Sequence, residues 1–247
     1  AGTDQYPRDQ LEQRSIRLAS AQGTNARAVA EHGMALILAL SRRLPEARDN
    51  QRRHVWRGMI SDLAKREDEL GGKALLVIGM GRIGGRLGDL ARAFGMHVIG
   101  IRRNPELGAV SANEIHGLDR LSELLGRADF VVLTCPLSPG TEKLIDTAAL
   151  ARMKRSAYLI NLARGRCVEE PALISALVER RIAGAALDVT VEEPLPSSSP
   201  LWELENALVT PHTGGETRRY EENVIDLLLD NLALLWRGET QLRNQVV

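Results

Sequence analysis

The chain has 247 residues, of which 44% are hydrophobic and 26% are charged, a balance typical of a globular protein with one large or two modest domains. Lysine plus arginine and aspartate plus glutamate both number 32, and this zero net charge argues against nucleic acid or an anionic membrane as a partner. Two cysteines without C-x-x-C spacing form no disulfide framework, and the longest apolar run, 34–40, is far shorter than the roughly 20 residues that span a bilayer. We therefore expect a reducing, cytoplasmic setting.

Helical and extended patterns alternate along the chain. Residues 25–44 have the pattern of a long, largely apolar helix, and Pro45 ends that helix or starts the next. Short apolar runs then alternate with segments of helical spacing, and a leucine-rich helix at 221–236 is closed by Gly238. The runs are 74–78, 97–101, 130–134, 158–161, 185–189 and 207–210; the helices between them are 82–94, 118–125, 147–153 and 170–180. Apolar runs of this kind are typical of strands buried on both faces, so the pattern predicts an α/β fold with a doubly wound parallel sheet.

A glycine-rich turn follows the first apolar run. It has the spacing G-x-G-x-x-G from Gly79 to Gly84 and stands between a predicted strand and a predicted helix. We expect Gly79 to allow the tight turn, Gly81 to let a pyrophosphate approach the backbone, and Gly84 to let helix and strand pack closely. The first helical residues, Arg82 and Ile83, would offer free N–H groups to the phosphates. The turn is therefore predicted to bind a dinucleotide, with packing alone as the structural alternative.

The end of the second predicted strand bears on the choice of cofactor. Units that bind NAD usually place Asp or Glu there, to accept hydrogen bonds from the ribose hydroxyls. This chain has Arg102 and Arg103 instead and no acid. Two guanidinium groups suit a 2′-phosphate, so the sequence favours NADP(H), with NAD(H) as the alternative. The alternative is that both arginines are solvated loop residues with no role in cofactor binding.

Three candidate catalytic side chains follow later strands, at the edge where open α/β sheets bind ligands. His212 can carry a proton near neutral pH, Arg164 can bind a carboxylate with two parallel bonds, and Glu193 can orient a histidine. On spacing alone Arg166 and Glu192 are alternatives to Arg164 and Glu193. We interpret the other histidines as structural: His32, His54, His97 and His116. No metal-ligand spacing, nucleophile elbow or Walker loop supports another chemistry.

The order of these motifs resembles that of the D-isomer-specific 2-hydroxyacid dehydrogenases. The similarity extends over the whole chain and rests on several motifs, which makes it more specific than the glycine turn alone. The matching segments are the turn at 79–84, VAEH at 29–32, DFVV at 129–132, NLARG at 161–165, LDV at 187–189, EP at 193–194 and PH at 211–212.

The resemblance implies an oxidoreductase that transfers a hydride between NADP(H) and a small 2-keto or 2-hydroxy acid. With Arg102 in place of the acid, the chain resembles the NADP-using glyoxylate and hydroxypyruvate reductases among these D-specific enzymes. Arg164 would bind the substrate carboxylate and carbonyl, and His212 would donate or accept the proton. Glu193 would orient His212 and keep its proton available.

Further residues acquire cofactor or substrate roles only through the resemblance. Asp188 would lie near the nicotinamide amide, and Ala163 and His212 would also contact the cofactor. Cys135 and Pro136 would pass under the adenosine half. Backbone N–H groups at Gly2 would meet the substrate carboxylate.

The resemblance also implies a domain organisation and an assembly. We expect residues 27–216 to form the nucleotide-binding domain, and 1–26 with 217–247 to belong to a flavodoxin-like substrate domain whose first portion precedes Ala1. The helix from Asn25 would support a homodimer.

Two related classes of protein fit the sequence less well. C-terminal-binding transcriptional co-repressors, which sense nucleotides, usually keep the acidic ribose contact that Arg102 replaces, and formate dehydrogenases pair the histidine with Gln rather than Glu193. A truncated, inactive dehydrogenase is the remaining alternative.

Overall fold

The computed structural model describes residues 2–3, 5–108 and 110–247. Contacts divide the chain into two compact units. The larger is Ala30–Gly214, and the smaller combines Ala1–Val29 with Gly215–Val247. The functional assignment of a nucleotide-binding domain at 27–216 and a substrate domain at 1–26 with 217–247 stays a prediction.

The larger unit contains a seven-stranded sheet in the order β3-β2-β1-β4-β5-β6-β7, with every pair parallel. The strands are β1 Ala74–Ile78, β2 His97–Ile101, β3 Glu114–His116, β4 Phe130–Leu133, β5 Tyr158–Asn161, β6 Gly184–Leu187 and β7 Ala207–Val209. The six predicted strands and the doubly wound sheet are confirmed. Between β3 and β4 the chain crosses back over β1, so the strand order reverses between β1 and β4, where such sheets bind ligands.

The strand ends are in register across the sheet. Ile78 lies opposite Ile101 and Leu133, and the register continues through Asn161 and Leu187 to Val209. The loops that follow six strands therefore leave the sheet along one edge. This edge, the carboxyl edge, carries the candidate residues that the sequence places after strands.

The two outermost strands differ from the interior ones in burial. β4 and β6 are buried throughout, as predicted for parallel strands covered on both faces, whereas β3 and β7 are half-buried. The sequence did not predict β3, because a three-residue edge strand made of Glu114, Ile115 and His116 contains no apolar run.

Helices connect the strands and precede the sheet. They are α2 Ala26–Ser41, α3 Leu44–Arg52, α4 Arg82–Ala93, α5 Leu121–Leu125, α6 Thr147–Arg152 and α7 Glu170–Val178. The predicted helix 25–44 ends earlier, at Ser41, because Arg43 adopts a left-handed conformation with φ 49°. Pro45 then lies in the first turn of α3, where its missing N–H costs no hydrogen bond.

The core of the larger unit is formed by side chains of the sheet and of the helices against it. Leu76, Ile78, Val131, Leu133 and Leu159 are almost completely buried in one cluster. Each such side chain contributes about 1.5–3 kcal/mol through removal of apolar surface from water. The sheet is therefore a firm base for the loops at its carboxyl edge.

The smaller unit contains α1 Arg8–Gln13, α8 Tyr220–Trp236 and the first residues of α2. Buried Asn231 of α8 is tied to the backbone of Arg243, accepting a hydrogen bond from its N–H at 2.8 Å and donating one to its carbonyl at 3.2 Å. The predicted end of this helix is confirmed, since Gly238 follows Arg237 with φ +79°. Over the described ranges, no helix has both the length and the apolar character that a membrane crossing requires.

Candidate active site

The glycine turn between β1 and α4 has the geometry that its spacing predicts. Gly79 has φ +109°, and a Cβ added there would lie 2.5 Å from the backbone N of Cys135. A Cβ at Gly84 would lie 2.4 Å from the carbonyl oxygen of Gly79 and 2.9 Å from Val77 Cγ1, so helix and strand pack too closely for a side chain. A Cβ at Gly81 would meet nothing within 4 Å. The turn therefore leaves open space beside Gly81, as a dinucleotide phosphate requires.

Helix α4 begins directly after Gly81 and this open space. α4 has 12 residues and begins at Arg82, whose side chain is exposed, while that of Ile83 is partly buried. The first N–H groups of a helix have no partner within it and carry the positive end of its dipole. The residues present thus fit the diphosphate of a dinucleotide cofactor.

The two arginines after β2 differ in their surroundings. Arg102 is partly buried, and its Nη1 donates a hydrogen bond to the carbonyl of Gly108 at 2.5 Å. Arg103 is exposed, and within the described part of the chain it makes no hydrogen bond or ion pair. Arg102 therefore holds the loop after β2, and Arg103 has a guanidinium available for an anion.

The loop after β4 lies directly beside the glycine turn. Thr134 donates a hydrogen bond from Oγ1 to the carbonyl of Gly79 at 2.9 Å. Cys135 is buried, and Pro136 is exposed. A hydrogen bond with Cys167, together with burial, raises the pKa of the Cys135 thiol, so this thiol is protonated at neutral pH. Both cysteines are free thiols.

The turn after β5 is held by hydrogen bonds on both sides of Arg164. Asn161 accepts from the N–H of Ala163 at 3.0 Å and donates to the carbonyl of Arg164 at 2.9 Å. Arg164 Nη1 donates to the carbonyl of Ala163 at 2.7 Å. A Cβ added at Gly165 would lie 2.0 Å from the carbonyl carbon of Thr190, so this turn packs tightly on the loop after β6.

Arg166 lies in a different setting from Arg164. Its Nη2 pairs with Glu142 Oε1 at 2.7 Å, and its side chain is exposed. This ion pair separates the two arginines that spacing alone could not distinguish. Arg164 directly precedes Gly165, which packs on the loop after β6.

The loops after β6 and β7 bring His212 and Glu193 into contact. His212 Nδ1 lies 2.7 Å from Glu193 Oε2, and the side chains are 47% and 38% exposed. The N–H of Thr190 donates to Glu193 Oε1 at 3.1 Å, which fixes the second carboxylate oxygen. Glu192 accepts a hydrogen bond from the hydroxyl of Thr190 at 2.7 Å through its backbone carbonyl, and its side chain has no partner among the described residues. Glu193, rather than Glu192, is thus the partner of His212.

Asp188 lies at the base of the loop that carries His212. Asp188 is 4% exposed, and its carboxylate accepts hydrogen bonds from Thr210 Oγ1 at 2.7 Å and from the N–H groups of Thr213 and Gly214, each at 3.0 Å. His32 Nε2 lies 3.3 Å from Asp188 Oδ1. Burial acts to raise the pKa of Asp188, but the hydrogen bonds from His32, Thr210 and Gly214 outweigh it and lower the pKa, so this carboxylate is charged at neutral pH.

The sequence of the larger unit matches a known protein family. Residues 34–214 match the model of the D-isomer specific 2-hydroxyacid dehydrogenase, NAD binding domain. The chain belongs to this family. The predicted family resemblance is confirmed, and the larger unit carries the NAD-binding fold of these dehydrogenases.

Individual relatives of this chain differ in the substrates that they are named for. D-3-phosphoglycerate dehydrogenase of Escherichia coli (strain K12) is 38% identical over 227 residues, which cover 90% of this chain and 54% of that protein. Among solved structures, an acyclic imino acid reductase in complex with NADPH and D-Arg has a TM-score of 0.88 at 26% identity, and a glyoxylate reductase from Paecilomyes thermophila has a TM-score of 0.86 at 30% identity. The alignments cover all of this chain, and 76% and 73% of those chains. The chain spans about half the length of the curated relatives that it matches.

One residue beside this site was not singled out as functional from the sequence. His32, which was interpreted as structural, has its Nε2 beside Asp188 and 3.1 Å from Thr210 Oγ1. The VAEH segment that carries His32 is part of the family resemblance, and this was the available signal. Gly2 belongs to the smaller unit, and its contact with a substrate carboxylate stays a prediction. Across the described residues, no group of three or more His, Cys, Asp or Glu side chains could hold a metal ion.

Proposed function

We propose that this dehydrogenase transfers a hydride between NADP(H) and a small 2-keto or 2-hydroxy acid, of the glyoxylate or hydroxypyruvate type and with D specificity. The observation that carries the proposal is the 2.7 Å contact between His212 and Glu193 at the carboxyl edge, beside the Arg164 turn. A proton donor, a carboxylate that orients it and a guanidinium are the groups that reduction of a keto acid requires.

Each side chain has one task in this proposal. When bound, the nicotinamide supplies or accepts the hydride at C2 of the substrate. Arg164 binds the substrate carboxylate through charge-assisted hydrogen bonds and thereby orients C2. His212 donates a proton to the carbonyl oxygen in reduction and removes it from the hydroxyl in oxidation. Glu193 holds Nδ1–H, which leaves Nε2 as the ring nitrogen that exchanges the proton.

Turnover of the full chain tests this function. Reduced cofactor oxidation would be measured with glyoxylate, hydroxypyruvate and bulkier 2-keto acids, and the reverse reaction with D-3-phosphoglycerate, because a similar dehydrogenase is named for it. We expect Arg164→Gln to lower kcat/KM by about a hundredfold or more through loss of the carboxylate contact. The matched control is Arg166→Gln, which removes the partner of Glu142 and should retain activity. Cofactor binding without turnover of any acid would instead favour a nucleotide-sensing binding protein or an inactive dehydrogenase.

The preference for NADP(H) is proposed from Arg102 and Arg103. An exposed guanidinium at Arg103 can form charge-assisted bonds to a 2′-phosphate, and the acid that would repel this phosphate is missing from the end of β2. The complex of a similar reductase with NADPH supports the same choice. Arg102 supports the loop through Gly108 and adds positive charge.

Binding measurements with both cofactors test that preference. The double variant with Arg102→Asp and Arg103→Ala should weaken NADPH binding by about 10- to 100-fold and shift the preference towards NADH. Arg155→Ala changes an exposed arginine that follows α6 and serves as the control. An unchanged ratio of the two dissociation constants would contradict the 2′-phosphate assignment.

A homodimer is the assembly that we propose. The stretch between α3 and β1 exposes large apolar side chains, with Trp56 98% and Met59 89% exposed. Exposed apolar side chains of this size are typical of protein–protein contacts, and the family resemblance places a second copy at the neighbouring helix α2. Trp56→Asp should therefore convert a dimer to a monomer in light scattering. Trp236→Asp, at an 81% exposed tryptophan of α8, is the matched control, and a monomer from this variant alone would contradict the assignment.

A further inference from the structure

His32 of α2 contacts the two side chains at the base of the His212 loop. Its Nε2 lies 3.1 Å from Thr210 Oγ1 and 3.3 Å from Asp188 Oδ1. A Cβ added at Gly214 would come within 3.0 Å of His32 Cδ2, so the imidazole also packs on the end of the loop. The His32 side chain is 22% exposed and is thus largely enclosed by these groups.

The hydrogen bonds around Asp188 determine which ring nitrogen of His32 carries a proton. The charged carboxylate of Asp188 can only accept, and it receives the hydroxyl proton of Thr210 at 2.7 Å. With that proton used, Thr210 Oγ1 can only accept from His32. Both neighbours of His32 Nε2 are therefore acceptors, and Nε2 must be the donor, shared between them.

His32 thereby completes the set of donors around Asp188. The other three are the Thr210 hydroxyl and the N–H groups of Thr213 and Gly214, which belong to the segment on either side of His212. His212 itself has φ +56°, an unfavourable conformation for a residue with a side chain, so neighbouring contacts must hold it. Removal of the His32 donor would leave Thr210 Oγ1 without its donor and weaken the anchor of this segment.

We propose that His32 is a positioning residue, which fixes the segment 210–214 through Asp188 and Thr210 and so holds His212 in its reactive orientation. For its effect on turnover this inference rests on the proposed function. The contribution of His32 is the Nε2 donor and not the volume of the ring. A side chain that keeps a donor at that position should replace it, and an apolar side chain of similar size should not.

Two substitutions at His32 distinguish the effect of its Nε2 donor from the effect of its side-chain volume. We expect His32→Leu to lower kcat by about tenfold, with the KM for the keto acid and the Kd for NADPH changed by no more than about twofold, because binding groups are untouched. His32→Gln, whose amide can donate from Nε2, should recover most of kcat. His97→Leu makes the same change at the first residue of β2 and is the matched control.

Hydrogen exchange of the segment 210–214 tests the inference without turnover. The N–H groups of Thr213 and Gly214 should exchange about tenfold faster in His32→Leu than in the unaltered chain or in His32→Gln, without a change across the core strands. Thr210→Val should produce the same acceleration, and its combination with His32→Leu should add little, because both changes break one network.

The outcomes separate this inference from the proposed function. Absence of turnover with every acid would refute the function, while exchange at 210–214 would still decide the role of His32. Equal exchange in His32→Leu and the unaltered chain, or equal behaviour of His32→Leu and His32→Gln, would overturn the inference. If His32→Leu fails to fold, the comparison of His32→Gln with Thr210→Val gives the same decision: normal exchange in Thr210→Val would overturn it.

Discussion

Two histidine–carboxylate pairs of the larger unit, one after β7 and one at the start of β2 and β3, have the same separation. His212 Nδ1 lies 2.7 Å from Glu193 Oε2 after β7, and His97 Nε2 lies 2.7 Å from Glu114 Oε1 where β2 and β3 begin. The distance alone therefore does not distinguish a proton-transfer pair from a structural one. The difference lies in the surroundings of each pair.

Glu114 is shared among three donors. Its oxygens also contact His116 Nε2 at 3.0 Å and Arg127 Nη2 at 2.5 Å. Hydrogen bonds from Arg127, His97 and His116 lower the pKa of Glu114 to about 2. This carboxylate stays charged, and its partners are committed to it, as in a structural cluster.

Glu193 has a single side-chain partner within the described chain. It accepts from His212 and from the N–H of Thr190 and from no cation. Because His212 uses Nδ1 for this contact, its Nε2 makes no hydrogen bond to any described residue and is available to a substrate. His212 therefore differs from His97 in its position at the carboxyl edge and in having a carboxylate that no second side chain shares among the described residues, and these two features support its proposed role in proton transfer.

The largest expected difference in activity is between variants of the two histidines, His212 and His97. His212→Asn should lower kcat/KM for the keto acid by about a thousandfold, because the proton donor is lost while cofactor binding remains. His97→Asn should stay within about twofold of the unaltered chain. Steady-state kinetics with NADPH would measure both. Equal losses in the two variants would remove the distinction between the pairs.

The two carboxylates give a smaller contrast. Glu193→Gln keeps an acceptor for Nδ1–H but replaces the charge-assisted hydrogen bond that orients the imidazole by a neutral one, so kcat should fall by roughly 10- to 100-fold, less for an exposed pair than for a buried one. Glu114→Gln should leave kcat unchanged. Steady-state kinetics of both variants would measure the difference. An unchanged kcat in Glu193→Gln would contradict its role.

Residues whose roles depend on local spacing could be predicted from the sequence, whereas contacts between distant segments could not. The glycine turn is local to one βαβ unit, so spacing alone predicted the tight turn at Gly79 and the close packing at Gly84. Glu193 and His212 could be placed together because parallel strands end at one edge, although the sequence could not separate Glu193 from Glu192. His32 lies 178 residues from Thr210 along the chain, and no local pattern indicates such a contact.

Polar strands at the edge of the sheet were also difficult to predict from the sequence. β3 is an edge strand next to β2 in the described sheet and carries Glu114 and His116, so it lacks the apolar run by which interior strands are identified. The Glu114 cluster therefore arises from tertiary pairing of β2 with β3, and His97 could be assigned a structural role from the sequence without its partner being known. The break at Arg43, a left-handed residue inside a helical pattern, had no signal beyond Pro45.

The smallest expected effect is on the stability of the fold at acidic pH, through the cluster around Glu114. Because the pKa of Glu114 is about 2 in the folded chain and 4.5 without these partners, its ionised form stabilises the fold above about pH 4.5, and this contribution is lost as the pH falls towards 2. We expect it to be only about 1 kcal/mol, since His97 and Arg127 are exposed and water screens them. Urea unfolding at several pH values would show Glu114→Gln less stable than the unaltered chain at neutral pH, with the difference shrinking below pH 4.5. Glu205→Gln, which removes an exposed partner of Arg180, should show no such dependence. A difference for Glu114→Gln that is constant with pH would mean that the cluster is held by packing, and the contrast with His212 and Glu193 would then rest on position alone.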